Sequence, residues 1–110
     1  MDNKIEIFAK IRGIINFIEK EISTVAGSND MKKEVLNICR NISDILGRIG
    51  ELEYEKIISE IKEELNGLDD VVKKIENDDK NKNLFMLLIC HIPDIRFLFL
   101  NKEEQERIIK

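Results

Sequence analysis

Tryptophan is missing from this 110-residue chain, and tyrosine, proline and histidine occur once each. The two cysteines, Cys39 and Cys90, both stand in apolar stretches, which excludes a disulfide framework and points to a reduced, cytoplasmic setting. Together with His91 they make three soft ligands without paired spacing, whereas structural zinc takes four, so no metal or cofactor is expected. The five glycines are scattered, and GRIG at 47–50 lacks the lysine and the hydroxyl residue of a phosphate-binding loop. No segment is strongly basic. That disfavours direct nucleic-acid binding, whose affinity comes largely from Lys and Arg neutralising phosphates. Long apolar runs are also scarce, because His91, Pro93, Asp94 and Arg96 interrupt the greasiest stretch, and MDNKIEIFAK at the start shows no basic region followed by an apolar one. Neither a membrane span nor a secretory signal is expected.

Apolar residues make up 43% of the chain and charged residues 36%, enough for one core and a heavily charged coat. A single domain over 1–110 is the expectation, burying roughly two-thirds of the surface of its unfolded chain. The net charge of −4 is local: residues 51–83 carry 11 acidic and 6 basic groups, so the surplus acid lies in one segment.

Helical periodicity dominates. Phe8, Ile11, Ile15, Ile18, Ile22 and Val25 alternate in steps of three and four, which predicts a helix over about 3–26, with Ile7 and Ile14 widening its stripe. Met31, Val35, Ile38, Ile42, Ile45 and Ile49 repeat the spacing and predict a second helix over about 30–47, capped by Ser28 or Asp30. Gly47 and Gly50 mark a tight reversal, where a glycine can take the left-handed conformation. Tyr54, Ile58, Ile61, Leu65, Leu68, Val72 and Ile75 predict a third helix over about 51–77, in which Gly67 marks a bend or a close approach, a bend being the simpler reading. NDDKNKN at 77–83 reads as a solvated loop without an apolar anchor.

Leu84 to Leu100 holds thirteen apolar residues in seventeen, so it needs cover. LFMLLICHI predicts a fourth helix over about 83–92, ended by Pro93, with short helices over about 94–100 and 102–109. The fold class is therefore all-α, an antiparallel bundle of four main helices plus short C-terminal ones.

Candidate chemistry is sparse. Successive side chains of a regular helix diverge by about 100°, so Cys90 and His91 make a poor nucleophile and base pair, and His91 suits a helix end, where its cation meets the negative pole. No set of nucleophile, base and orienting group converges, and a non-enzymatic chain is expected. Two surfaces remain. Glu53, Glu60, Glu63 and Asp70, with Glu64 nearby, recur opposite the Tyr54 to Ile75 stripe. Asp69 with Lys73 and Asp70 with Lys74 are spaced for local ion pairs, which leaves Glu60, Glu63 and Glu64 to face a basic surface on a protein partner. Phe85, Phe97, Leu98, Phe99 and Leu100 are the apolar candidates for docking a partner or a second copy. The expected function is a cytoplasmic protein-protein interaction module, an adaptor, regulator or assembly subunit. The alternative is an acidic inhibitor or immunity-type protein that blocks a basic groove of a nucleic-acid-handling enzyme.

Overall fold

The computed structural model describes residues 3–100 and Arg107. Four helices account for most of it: α1 (Asn3–Ile22), α2 (Asn29–Leu46), α3 (Tyr54–Ile75) and α4 (Lys82–Leu98), with a short 3-10 turn at Asp79–Asn81 and no strand among the described residues. The expected helix at about 102–109 lies outside the described residues apart from Arg107, which is helical.

Side-chain oxygens set the helix ends. α1 stops at Ile22 and not near 26, because the hydroxyls of Ser23 and Thr24 donate to the carbonyls of Lys20 and Glu21, 2.9 and 2.8 Å away, and close the last turn. Ser28, in extended conformation, caps α2 by accepting from the amide of Met31. In the following reversal Gly47 keeps right-handed helical angles, and Gly50, at φ +102°, supplies the left-handed residue. That turn occupies residues 47–53, so α3 begins at Tyr54 and not near 51.

Cross-helix pairs join neighbouring helices and give the relative direction of α2 and α3. Arg48 meets Glu60, Asn41 meets Glu64 and Glu34 meets Lys74, so α2 and α3 run antiparallel. Arg96 of α4 pairs with Asp69 of α3, and the His91 ring packs on Phe17 of α1. Each helix touches two neighbours in the cyclic order α1, α2, α3, α4, and together they enclose one core.

The core follows the predicted stripes with a rotation. On α1, Phe8, Ile11, Ile15, Ile18 and Ile22 are buried as spaced. On α2 the buried row is Val35, Cys39, Ile42, Ile45 and Leu46, while Ile38 is half-buried and Ile49 exposed. On α3, Ile57 and Val71 are buried, and Tyr54, Ile58 and Val72 lie at the flank. A helix wedged between two neighbours buries a face wider than a two-position seam, and the centre of that face falls between them.

α4 corrects the sequence reading most. It runs through Pro93 without ending, so the expected separate helices over about 83–92 and 94–100 are one. Leu84, Leu88, Ile92 and Ile95 continue one buried stripe across the proline. Beyond the proline Ile95 is fully buried and Leu98 and Phe99 pack on the core, and burying an apolar side chain gains about 1.5–3 kcal/mol, so together they offset the roughly 3 kcal/mol that an interior proline costs. Pro93 itself is exposed, so its ring projects where no other helix must pack. His91 consequently sits inside a helix and not at its end.

The polar stretch 77–83 is anchored after all. Asn81 is 2% exposed; its Oδ1 accepts from the amide of Ser28 at 2.7 Å and its Nδ2 donates to Asp78 at 2.9 Å. It ties the start of α4 to the start of α2, and every buried side-chain polar atom described has a partner.

Candidate functional site

The acidic row of α3 divides into two. Glu60 and Glu64 lie with Gly67 and Lys74 on the flank that faces α2, where they meet Arg48 at 3.3 Å and Asn41 at 3.1 Å. Gly67 faces Ile38, whose Cδ1 would lie 3.2 Å from an added Cβ, so this glycine marks a close approach between helices. Lys74 donates to Glu34 at 2.8 Å, and that hydrogen bond and the Glu34 charge hold its pKa above the ordinary lysine value. The local pairs expected between Asp69 and Lys73 and between Asp70 and Lys74 yield to longer reaches, Asp69 to Arg96 and Lys74 to Glu34. A long side chain between two packed helices finds a partner across the groove as easily as along its own helix. Glu60 and Glu64 are thus spent inside the chain and not short of partners. Glu53, at the helix start without a side-chain cap, Glu63 and Asp70 remain exposed.

The apolar candidates are distributed around α4. Phe85 is half-buried and packs on the core. Phe99 also packs inward, with the ammonium of Lys62 5.7 Å from its ring centroid. Leu98 lines a groove between α1 and α4 with Lys10, Gly13, Ile14, Phe17 and Asp94. Phe97 and Leu100 line a larger one between α3 and α4, about 550 Å³, with Val72, Ile89, Ile92 and Pro93, and the Arg96 to Asp69 pair at its edge.

Between the two grooves lies a surface of which the sequence reading named only Phe97. Met86, Cys90, Pro93 and Phe97 follow in steps of four, three and four, directly opposite the buried stripe. Met86 is 47% exposed, Cys90 and Pro93 are exposed, and Phe97 is half-buried. Ile89, 38% exposed, and Phe17 of α1, 45% exposed, flank them. The signal was present, since LFMLLICHI is apolar all round, but a helix expected to end at Pro93 has too short an outer row to notice.

The two cysteines occupy opposite environments. Cys39 is buried and its pKa is pushed up to about 12, first by burial and second by the charge of Glu19. Cys90 is exposed, although it too stands in an apolar stretch of the sequence. Cys90 faces solvent while its neighbour His91 turns its ring to Phe17, the centroids 4.9 Å apart. The chemistry this surface offers is contact: apolar area with an accessible thiol at its middle.

Compared with protein-family models, curated proteins and solved structures, the chain shows no match. Among the described residues no helix is long and apolar enough to cross a membrane.

Proposed function

We propose that this chain is a small cytoplasmic protein-protein interaction module, an adaptor, regulator or assembly subunit without catalytic activity, and that its contact surface is the outward face of α4 with its two flanking grooves. One observation carries the reading. α4 presents Met86, Ile89, Cys90 and Pro93 to solvent although its opposite stripe already fills the core. An exposed contiguous apolar patch bounded by charge marks an interaction site more often than a structural need. The acidic surface supports less, because Glu60 and Glu64 are engaged within the bundle.

The test is tagged recovery from the native host with three baits: the unmodified chain, Ile89→Glu, and a Glu63→Lys, Asp70→Lys double variant. The reading expects proteins held by the unmodified chain and by the charge-reversed one, and lost by Ile89→Glu. Loss from the charge-reversed bait alone, relieved by salt, would overturn it in favour of an acidic inhibitor of a basic groove.

A further inference from the structure

α4 is the helix whose apolar pattern says least about where along the bundle it should sit. Leu84, Leu88, Ile92, Ile95 and Phe99 stand on one face, in steps of four, four, three and four. The first four are buried, and Phe99 is half-buried against the core. Slid by one turn, about 5.4 Å along its axis, α4 would seat Leu88, Ile92, Ile95 and Phe99 in the places of Leu84, Leu88, Ile92 and Ile95, apolar for apolar. Such a slide leaves the rotation of the helix unchanged, so Pro93 and Asp94 would keep facing outward. The ion pair that resists it is weak, because Arg96 and Asp69 are 40% and 43% exposed and a pair open to water contributes little. The opposite slide is closed, since it would carry the polar Lys80 towards the place of Leu84.

A polar anchor decides between the two registers. Asn81, 2% exposed, is the one buried polar residue among those described, and it stands immediately before α4. Its Oδ1 accepts from the amide of Ser28 at the start of α2, and its Nδ2 donates to Asp78. Gly27 completes the seat. A Cβ there would lie 3.0 Å from Oδ1 of Asn81, so the missing side chain gives that oxygen its room. A slide of one turn would pull Asn81 out of the seat and strip the Ser28 amide of its acceptor. One buried asparagine can fix helix register in this way, because a single register satisfies it.

We propose that the clasp of Asn81 on Ser28 and Gly27 is a register latch, and that α4 released from it ratchets by one turn towards its own N-terminal end. The latch is independent of the reading of α4 as a contact surface, yet it sets what that surface presents. The ratchet carries Met86, Cys90, Pro93 and Phe97 one turn along the bundle and opens the Arg96 to Asp69 pair at the edge of the larger groove.

His91, the sole histidine, reports the register. The start of α4 lies beside Ser28, just past the end of α1, and His91 lies beside Phe17, so α1 and α4 run antiparallel. Ring packing on Phe17, centroids 4.9 Å apart, displaces the imidazole proton signals; after the ratchet His91 would face Glu21, one turn further along α1. The experiment records these signals by NMR for the unmodified chain, Asn81→Ala and Gly27→Ala, with Phe17→Leu giving the undisplaced position. The unmodified chain should show one displaced pair. Both latch variants should stay helical by circular dichroism and add a second pair, about a tenth or more of the intensity, with Overhauser contacts to Glu21 in place of Phe17. Gly27→Ala leaves Asn81 in place and covers a failure of Asn81→Ala to fold. A single displaced pair in both variants overturns the inference, because the apolar stripe and the ion pair would then hold the register unaided. A second pair without the Glu21 contact overturns it as well, since the helix would have loosened without a ratchet. Loss of helix in both variants would make Asn81 a requirement for folding and equally overturn the latch.

Discussion

α2 and α4 occupy opposite corners of the bundle, and each packs against both α1 and α3. Their inner faces are alike: Val35, Cys39, Ile42 and Leu46 on one, Leu84, Leu88, Ile92 and Ile95 on the other, all buried. Their outer faces share a spacing and nothing else. α2 shows Lys33, Asn37, Arg40 and Asp44 to water, where α4 shows Met86, Cys90, Pro93 and Phe97. The core asks for one apolar stripe per helix and leaves the opposite row free to vary. What stands there is therefore informative about use and not about folding.

The comparison can be broken most sharply inside the core. Leu88→Ala and Ile42→Ala each empty a fully buried site and should cost about 3 kcal/mol apiece, read from urea midpoints, while Met86→Ala should change stability by less than about 0.5 kcal/mol. A large loss at Met86 would mean that the outer row of α4 serves folding. Next comes Pro93→Ala, which restores an amide inside α4 and should raise stability by about 1–3 kcal/mol. A loss there would show that the exposed ring supports the fold.

The cysteines extend the contrast to pH. The Cys39 thiol is neutral in the folded chain up to about pH 12, whereas the unfolded chain begins to ionise it near its ordinary value of 9.0. Its contribution is whole below that value and is lost as pH rises from about 9 to 12. By pH 10 the loss is about 1 kcal/mol. Comparing alkaline unfolding of the unmodified chain with Cys39→Ala isolates this slope, which the variant should lack. The smallest effect concerns crowding at the flank of α2. Gly13, with open space around it, should gain up to about 1 kcal/mol on replacement by alanine. Gly67→Ala should gain less, since Ile38 must give way by a few tenths of an ångström.

Local patterns were legible in the sequence and cross-helix geometry was not. The stripes from Phe8 to Val25, from Met31 to Ile49 and from Tyr54 to Ile75 predicted three helices and, apart from a rotation on α2 and α3, most of the core they supply, because spacing of three and four is a property of one helix by itself. The cap at Ser28 followed from a side-chain oxygen ahead of a stripe. Pro93 misled because its cost is local, while the packing of Ile95, Leu98 and Phe99 that offsets it depends on the other helices. Asn81 was read as solvated because its partner, the amide of Ser28, is 53 residues away. Glu60 and Glu64 looked unpaired for the same reason, with Arg48 and Asn41 across a groove. The outward row of α4 became visible only once α4 proved continuous.

Cys90 also offers the most direct measurement of whether that row is covered at work. Maleimide labelling of Cys90 is compared between intact host cells and the purified chain at high dilution, with Cys39 as the buried internal standard. The predicted result is rapid labelling in the dilute chain, strong protection in cells, and an unlabelled Cys39 in both. Equal labelling of Cys90 in the two settings would contradict the claim that the outward face of α4 is a contact surface.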